Sequence, residues 1–222
     1  GHNDRMRSAV LIGLGLCCSL WCGAASAAQI TQAGLSFSDE AGGFTLISVT
    51  GSGRLDDPFV VTEEVTGERD AILTIRGLKE VGNRIGTHHI AGIAMTKIVI
   101  NRSKDIWQNY QMELREVTTR HSPYEDGLSF AQNTLIAGPF TASTFPNLQR
   151  FDEPQDTLGF SGASIAPGES AQFSFLITDM SPVAKFYLFQ QPLQPVSEAT
   201  PPHRPADVQQ SAVPATVPPS SP

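Results

Sequence analysis

The chain has 222 residues, a formal net charge of −7 and 17% charged residues. The mildly acidic balance and the lack of a basic stripe with interleaved aromatic residues exclude nucleic acid as the expected partner, because phosphate binding depends on Lys and Arg. The length fits a single domain, since β-sandwiches and barrels often reach this size.

The first 28 residues have the pattern of a cleavable secretory signal. Arg7 follows Met6, an apolar run covers residues 9–21, and small residues end in the A-x-A-like sequence Ala25-Ser26-Ala27. A basic start, an apolar middle and a small-residue exit are typical of export signals. The apolar run is also shorter than the about 20 residues that span a bilayer. We therefore expect cleavage after Ala27 and a periplasmic or extracellular protein.

All three cysteines, Cys17, Cys18 and Cys22, lie inside this segment. The residues that precede Cys17 and Cys22 do not match a lipoprotein site, so we expect soluble export rather than a lipid anchor. The mature chain is then expected to have neither a thiol nor an integral membrane segment. Residues 1–5 precede Met6 and are left out of the fold prediction.

Short β-rich runs separated by turn residues follow the leader. Strand patterns cover residues 44–49, 58–65 and 71–76, with glycines at several of their boundaries. Residues 66–70, which include Gly67, join the second and third runs, and this spacing predicts a β-hairpin.

Two further runs lie in the middle of the chain. Residues 94–102 alternate in part, with one face formed by Met95, Lys97 and Val99. Residues 107–117 have fair helix propensity but an apolar period of two. Their flanks are rich in β-strand residues, which favours a strand.

The remaining strands complete an all-β fold. Residues 170–179 alternate between apolar and polar side chains, and residues 185–190 form the last predicted strand. Residues 118–162 are too many for a structureless loop, so we expect one or two short strands within them. Together these elements predict an antiparallel β-sandwich of the immunoglobulin or jelly-roll kind over residues 29–190.

The C-terminal segment has a different composition. Residues 191–222 contain nine prolines among 32 residues and no aromatic side chain. Such a segment cannot bury enough apolar surface to offset the entropy lost on ordering. We therefore predict a disordered, proline-rich tail.

Two stretches carry a resemblance to a known group of proteins. They are residues 99–114 (VINRSKDIWQNYQMEL) and residues 165–179 with 186–192 (IAPGESAQFSFLITD and FYLFQQP). In hydrophobic pattern and turns they resemble the exported β-sandwich domains of bacterial surface and periplasmic proteins, including those sorted by a PEP-type C-terminal signal. The resemblance implies a Trp-bearing strand and a Pro-Gly turn into an aromatic strand, and it supplies no catalytic residue. No apolar helix with a basic end follows Pro192, so anchoring by that route is not expected.

Histidines and loop carboxylates are the candidate metal ligands. Neighbouring residues on a strand point to opposite faces, so only one histidine of the pair at 88–89 can join a site, and we take His88 with His121 as its partner. Carboxylates in apparent loops are candidates for calcium, namely Asp56, Asp57, Asp126 and Asp152. Turn chemistry explains these acids equally well, so no cofactor is expected and calcium remains the alternative.

Trp107 and Tyr110 are the candidate ligand-binding residues. If the two rings are exposed, they could form a platform that binds sugar rings. The other interpretation is that Trp107 packs in the core, as tryptophans do in many β-sandwiches. Sugar hydrolysis needs two facing carboxylates, for which the candidates are Glu63, Glu64, Glu113 and Glu116, with Glu113 expected to face solvent. Asn101-Arg102-Ser103 also matches a glycosylation sequon.

The sequence thus favours an exported, non-catalytic β-sandwich module that binds a protein or a cell-envelope component. Recognition is expected through loops and edge strands on a rigid sheet scaffold. A carbohydrate- or calcium-dependent binding domain is the alternative, and a hydrolase is the third hypothesis.

Overall fold

The structure is a computed structural model that describes residues 26–131, 141–142, 145–151 and 156–193. Its elements in chain order are β1 (Gln29–Gln32), β2 (Leu35–Ser38), β3 (Phe44–Thr50), β4 (Phe59–Val65), β5 (Ala71–Arg76), α1 (Leu78–Val81), β6 (Ala91–Asn101), β7 (Trp107–Arg115), a 3-10 turn (Tyr124–Asp126), β8 (Leu128–Phe130), β9 (Thr141–Ala142), β10 (Asn147–Phe151), β11 (Thr157–Ile165), β12 (Ser170–Asp179) and β13 (Lys185–Leu193).

The strands form two sheets around one core, which confirms the predicted all-β sandwich. Sheet A has the order β1-β2-β5-β13-β7-β11-β10, and sheet B has the order β3-β4-β6-β12-β8, with β9 also paired to β12. Almost all pairings are antiparallel. Among the described strands, β4 and β6 are the exception, and they run parallel from Phe59 opposite Met95 to Val65 opposite Asn101.

The predicted hairpin of residues 58–65 and 71–76 is wrong. Both strands form, but β4 belongs to sheet B and β5 to sheet A. The turn around Gly67 therefore carries the chain from one layer to the other. Alternation within each strand shows which side chains face inward, but it does not show which layer contains the strand.

Several strands lie where the sequence pattern is weak. Residues 118–162 contain β8, β9, β10 and the first part of β11, which is more than the one or two strands expected. The hairpin of β1 and β2 was not predicted at all. Ala33 and Gly34 form its two-residue turn with positive φ angles of 46° and 90°, a backbone that suits the twist of paired strands.

Aromatic side chains from both sheets fill the core. Phe37 of sheet A meets Phe59 of sheet B edge to face at 5.2 Å between ring centroids. The ring centroid of Phe173 in sheet B lies 4.9 Å from that of Tyr110 and 4.7 Å from that of Phe160, both in sheet A. Such close contacts between apolar faces supply the main driving force for folding.

The folded body extends slightly beyond its predicted bounds. Ala28 is half-buried against the core, and β13 continues to Leu193, which pairs with Asn109. Most of the predicted signal segment (residues 1–25) and the tail from residue 194 onward lie outside the described residues.

Candidate functional site

Three loops meet at one end of sheet B. Asp179, the last residue of β12, pairs with Ala91 at the start of β6 and with Leu128 at the start of β8. The segments 87–90, 116–127 and 180–184 adjoin these strand ends. We call these three segments the loop end.

Large apolar side chains are exposed at the loop end. Tyr124 has 64% of its surface exposed, Ile90 60% and Met180 48%, and Val117 and Val183 are each 39% exposed. Loops with exposed apolar side chains on a rigid scaffold are typical binding surfaces.

A close backbone approach fixes two of these loops against each other. The amide of Met180 donates to the carbonyl of Gly127 at 3.2 Å. Gly127 has a φ of 78°, and a Cβ atom there would lie 2.8 Å from the Cβ of Met180. Glycine is required at this position because a side chain would collide with Met180 and strain the backbone.

Three interacting carboxylates, Asp179, Asp126 and Glu116, lie at the same end of the sandwich. Asp179 is only 1% exposed, and its Oδ1 accepts a hydrogen bond from the amide of Ser181 at 2.8 Å. Asp126 accepts from the amide of Leu128 at 3.0 Å. Within the described part of the chain, no hydrogen-bond partner is found for the buried oxygens Asp179 Oδ2, Asp126 Oδ2 and Glu116 Oε1.

Burial and mutual repulsion make these groups hard to ionise. Burial, together with the charges of Glu116 and Asp126, raises the pKa of Asp179 to about 7, although the hydrogen bond from the Ser181 amide opposes the shift. Burial also raises the pKa of Glu116, with the charge of Asp126 as a second cause. The pKa of Asp126 is raised by burial as well. Each of the three carboxyl groups therefore holds its proton to a higher pH than an exposed carboxyl group does.

The predicted metal ligands are spread over separate places. His88 is exposed in the loop before β6, and His121 contacts the carboxylate of Glu113 through Nδ1. Asp56 and Asp57 are exposed between β3 and β4, Asp126 belongs to the carboxylate cluster, and Asp152 lies outside the described residues. Among the described residues, no group of three or more His, Cys, Asp or Glu side chains could hold a metal ion.

The aromatic platform is the wrong interpretation of Trp107 and Tyr110, and core packing is the right one. Neither side chain has any exposed surface. Trp107 Nε1 donates to Ser103 Oγ at 3.0 Å, and the Tyr110 hydroxyl donates to Gln190 Oε1 at 3.3 Å. Their odd separation predicts opposite faces of a regular strand, but both side chains are buried in β7.

Glu113 does not face solvent as expected. It is 6% exposed and accepts two hydrogen bonds from Arg115, at 2.8 and 2.9 Å, besides its contact with His121. Burial raises its pKa, but the hydrogen bonds and charges of Arg115 and His121 outweigh burial and hold the pKa below its usual value. Arg115 also lies over the Phe189 ring, 4.1 Å from its centre.

The other carboxylates proposed for sugar hydrolysis are held in separate ion pairs or in the loop end. Glu63 is fully buried and paired with Lys97, Glu64 is paired with Arg102 at 2.9 Å, and Glu116 belongs to the carboxylate cluster of the loop end. Asn101 of the sequon is also buried, and its amide donates to the carbonyls of Asp105 and Ile165 at 2.9 and 3.0 Å. A glycan cannot be attached to this amide in the folded protein.

No protein-family model matches the chain, and the search of curated proteins found no match either. In the part of the chain that the structure describes, no helix has the length and apolar character needed to cross a membrane.

Proposed function

We propose that the protein is an exported, non-catalytic β-sandwich module that binds a protein or cell-envelope component through its loop end. The observation that carries this proposal is the exposure of Ile90, Tyr124 and Met180 on loops that meet at one end of the sandwich. Water contact with such side chains is unfavourable, and a partner that covers them gains the free energy of burying apolar surface.

The shape of the loop end is set before any partner binds. Side-chain oxygens of Asp126 and Asp179 hold the backbone amides of Leu128 and Ser181, and Gly127 contacts Met180 through the backbone. A surface that is already ordered loses less conformational entropy on binding than a flexible one. This arrangement suits recognition by shape, as expected for loops on a sheet scaffold.

The proposal is tested by binding of the mature chain to envelopes prepared from its source cells. We expect the variant Tyr124→Ser/Met180→Ser to bind at least about tenfold more weakly, since central apolar contacts are often worth more than about 1.4 kcal/mol. The control is Ile47→Ser/Leu148→Ser, which changes side chains of similar exposure, 48% and 42%, on the edge strands β3 and β10. Equal loss in both variants, or no loss in either, contradicts binding through the loop end.

The alternative of calcium-dependent binding gives a different result in the same assay. Removal of divalent cations with EDTA abolishes binding in that alternative, because the cation would organise the surface. Binding through apolar contacts on preformed loops is expected to persist in EDTA.

A further inference from the structure

The first residue after the expected cleavage point is held by a carboxylate. The backbone nitrogen of Ala28 donates to Asp39 Oδ1 at 2.7 Å, and the amide of Asp39 donates back to the Ala28 carbonyl at 3.2 Å. The A-x-A-like exit at residues 25–27 independently marks the Ala27–Ala28 bond for cleavage. The atom that cleavage would turn into an amine is therefore the atom that Asp39 contacts.

Asp39 also joins the two sheets at this point. It follows β2 of sheet A, and its second oxygen, Oδ2, accepts from the amide of Leu46 in β3 of sheet B at 3.0 Å. A stronger bond between Ala28 and Asp39 would thus fix the start of β1 to both layers.

The surroundings suit a positive charge. Ala28 lies in an open groove whose charged lining residues are Asp39, Glu40, Glu68 and Arg69, three acids and one base. Ser26 and Ala27 are exposed, whereas Ala28 is half-buried. The change from exposed to half-buried residues therefore coincides with the expected cleavage point.

We propose that export processing cleaves the Ala27–Ala28 bond and that the released ammonium group of Ala28 forms an ion pair with the carboxylate of Asp39. A signal peptidase adds water across the amide bond, so that Ala27 ends in a carboxylate and Ala28 gains an ammonium group. The contact with the Asp39 carboxylate then changes from a hydrogen bond with an uncharged amide donor to one between two opposite charges, which is stronger. The inference rests on the export part of the proposed function.

The identity of the N-terminus is the first test. The protein isolated from the periplasm or medium of its source cells is expected to begin at Ala28 when its terminal residues are sequenced. An exported protein that begins at another residue overturns this inference and leaves export intact. A chain that stays in the cytosol with its leader contradicts both.

The ion pair is tested on a polypeptide of residues 28–222 with Ala28 at its N-terminus. Acetylation of Ala28 removes the charge and keeps an N–H donor, so it isolates the ionic part of the contact. We expect acetylation to lower the Tm by about 2–4 °C, the shift that corresponds to about 1 kcal/mol in a protein of this size. In the Asp39→Asn variant, acetylation is expected to have no effect, and an equal effect in both backgrounds overturns the proposal.

A titration avoids dependence on the variant. The α-amino group of the unmodified mature chain, followed by NMR, is expected to have a pKa above the ordinary value of about 7.7–8.0, because Asp39 stabilises its charged form. The contribution of the ion pair to the free energy of unfolding is then complete below the ordinary α-amino pKa. It is lost as the pH rises through the pKa of the α-amino group in the folded state. An α-amino pKa at or below the ordinary range overturns the ion pair.

Discussion

Lys97 Nζ and Glu63 Oε2 form an ion pair in the interior of the sandwich, and neither side chain has any exposed surface. The two residues lie on the parallel strands β4 and β6, where Val61 pairs with Lys97 and Glu63 with Val99. Burial raises the pKa of Glu63 and lowers that of Lys97, and in each residue the charge of the partner opposes the shift. Each charge is tolerated in the core because the other is present.

Removal of one partner from this pair is expected to be strongly destabilising. Lys97→Met leaves the Glu63 carboxylate buried without a counter-charge, and we expect a loss of about 3–5 kcal/mol in the free energy of unfolding. Chemical denaturation of the mature chain measures this loss. The neighbouring pair provides a matched control, since Arg102→Met breaks the partly exposed contact with Glu64 and should cost less than about 1 kcal/mol.

The double variant Glu63→Leu/Lys97→Met separates the cost of an orphaned charge from the value of the pair. Replacement of a buried ion pair by apolar residues of similar size is often neutral or stabilising. We therefore expect the double variant to be clearly more stable than Lys97→Met alone. A double variant as unstable as the single one would show that Lys97 acts through its packing and not through its charge.

The buried carboxylate of Asp179 is expected to make stability depend on pH. Its folded-state pKa of about 7 exceeds the ordinary value of about 3.9, so the folded state binds the proton more tightly than the unfolded state. Proton binding by Asp179 therefore stabilises the folded state. This stabilisation is complete below the pKa of Asp179 in the unfolded chain, and it is lost as the pH rises toward and through about 7.

Asp179→Asn keeps an oxygen that can accept from Ser181 and removes the ionisation. We expect this variant to be more stable than the parent protein at pH 8 and to lose less stability between pH 5 and pH 8, as measured by thermal unfolding. Asp56→Asn changes an exposed loop carboxylate and should alter stability by no more than about 0.5 kcal/mol. The prediction is contradicted by a Tm that changes equally between pH 5 and pH 8 in the parent protein and in Asp179→Asn.

Trp107 is expected to behave as a core residue. Its side chain is fully buried and lies 5.7 Å from Tyr110 between ring centroids, so Trp107→Ala leaves a large cavity and should cost about 3–5 kcal/mol. Tyr124→Ala, at the exposed loop end, should change stability by less than about 0.5 kcal/mol. A stable Trp107→Ala protein with weakened sugar retention would instead favour the carbohydrate-binding alternative.

Local patterns predict most of the strands and few of their partners. The alternation of residues 170–179 gives β12 with the right bounds, because its apolar face must point to the core. The same kind of pattern places Lys97 with Met95 and Val99 on one face of β6. It does not show that this face is the inward one or that Glu63 lies opposite, because strand order and direction depend on contacts far apart in the sequence.

The sequence predicts only part of the loop end, because the loops that form it are brought together by contacts between residues far apart in the chain. Asp126 appeared as a loop acid, but its neighbour Asp179 lies in a segment predicted as a strand, and only the pairing of β12 with β8 brings them together. Exposed Met180 and Tyr124 carry no periodic signal. Their grouping follows from the meeting of three strand ends, which no local pattern contains.

Site-specific photo-crosslinking in the source cells tests binding through the loop end most directly. A photoreactive amino acid in place of Tyr124, which is 64% exposed, should give a discrete adduct of higher mass in the exported fraction after illumination. The same amino acid in place of Ile47 on β3, which is 48% exposed, should give none. No adduct at Tyr124, or equal adducts at both positions, would contradict a partner at the loop end.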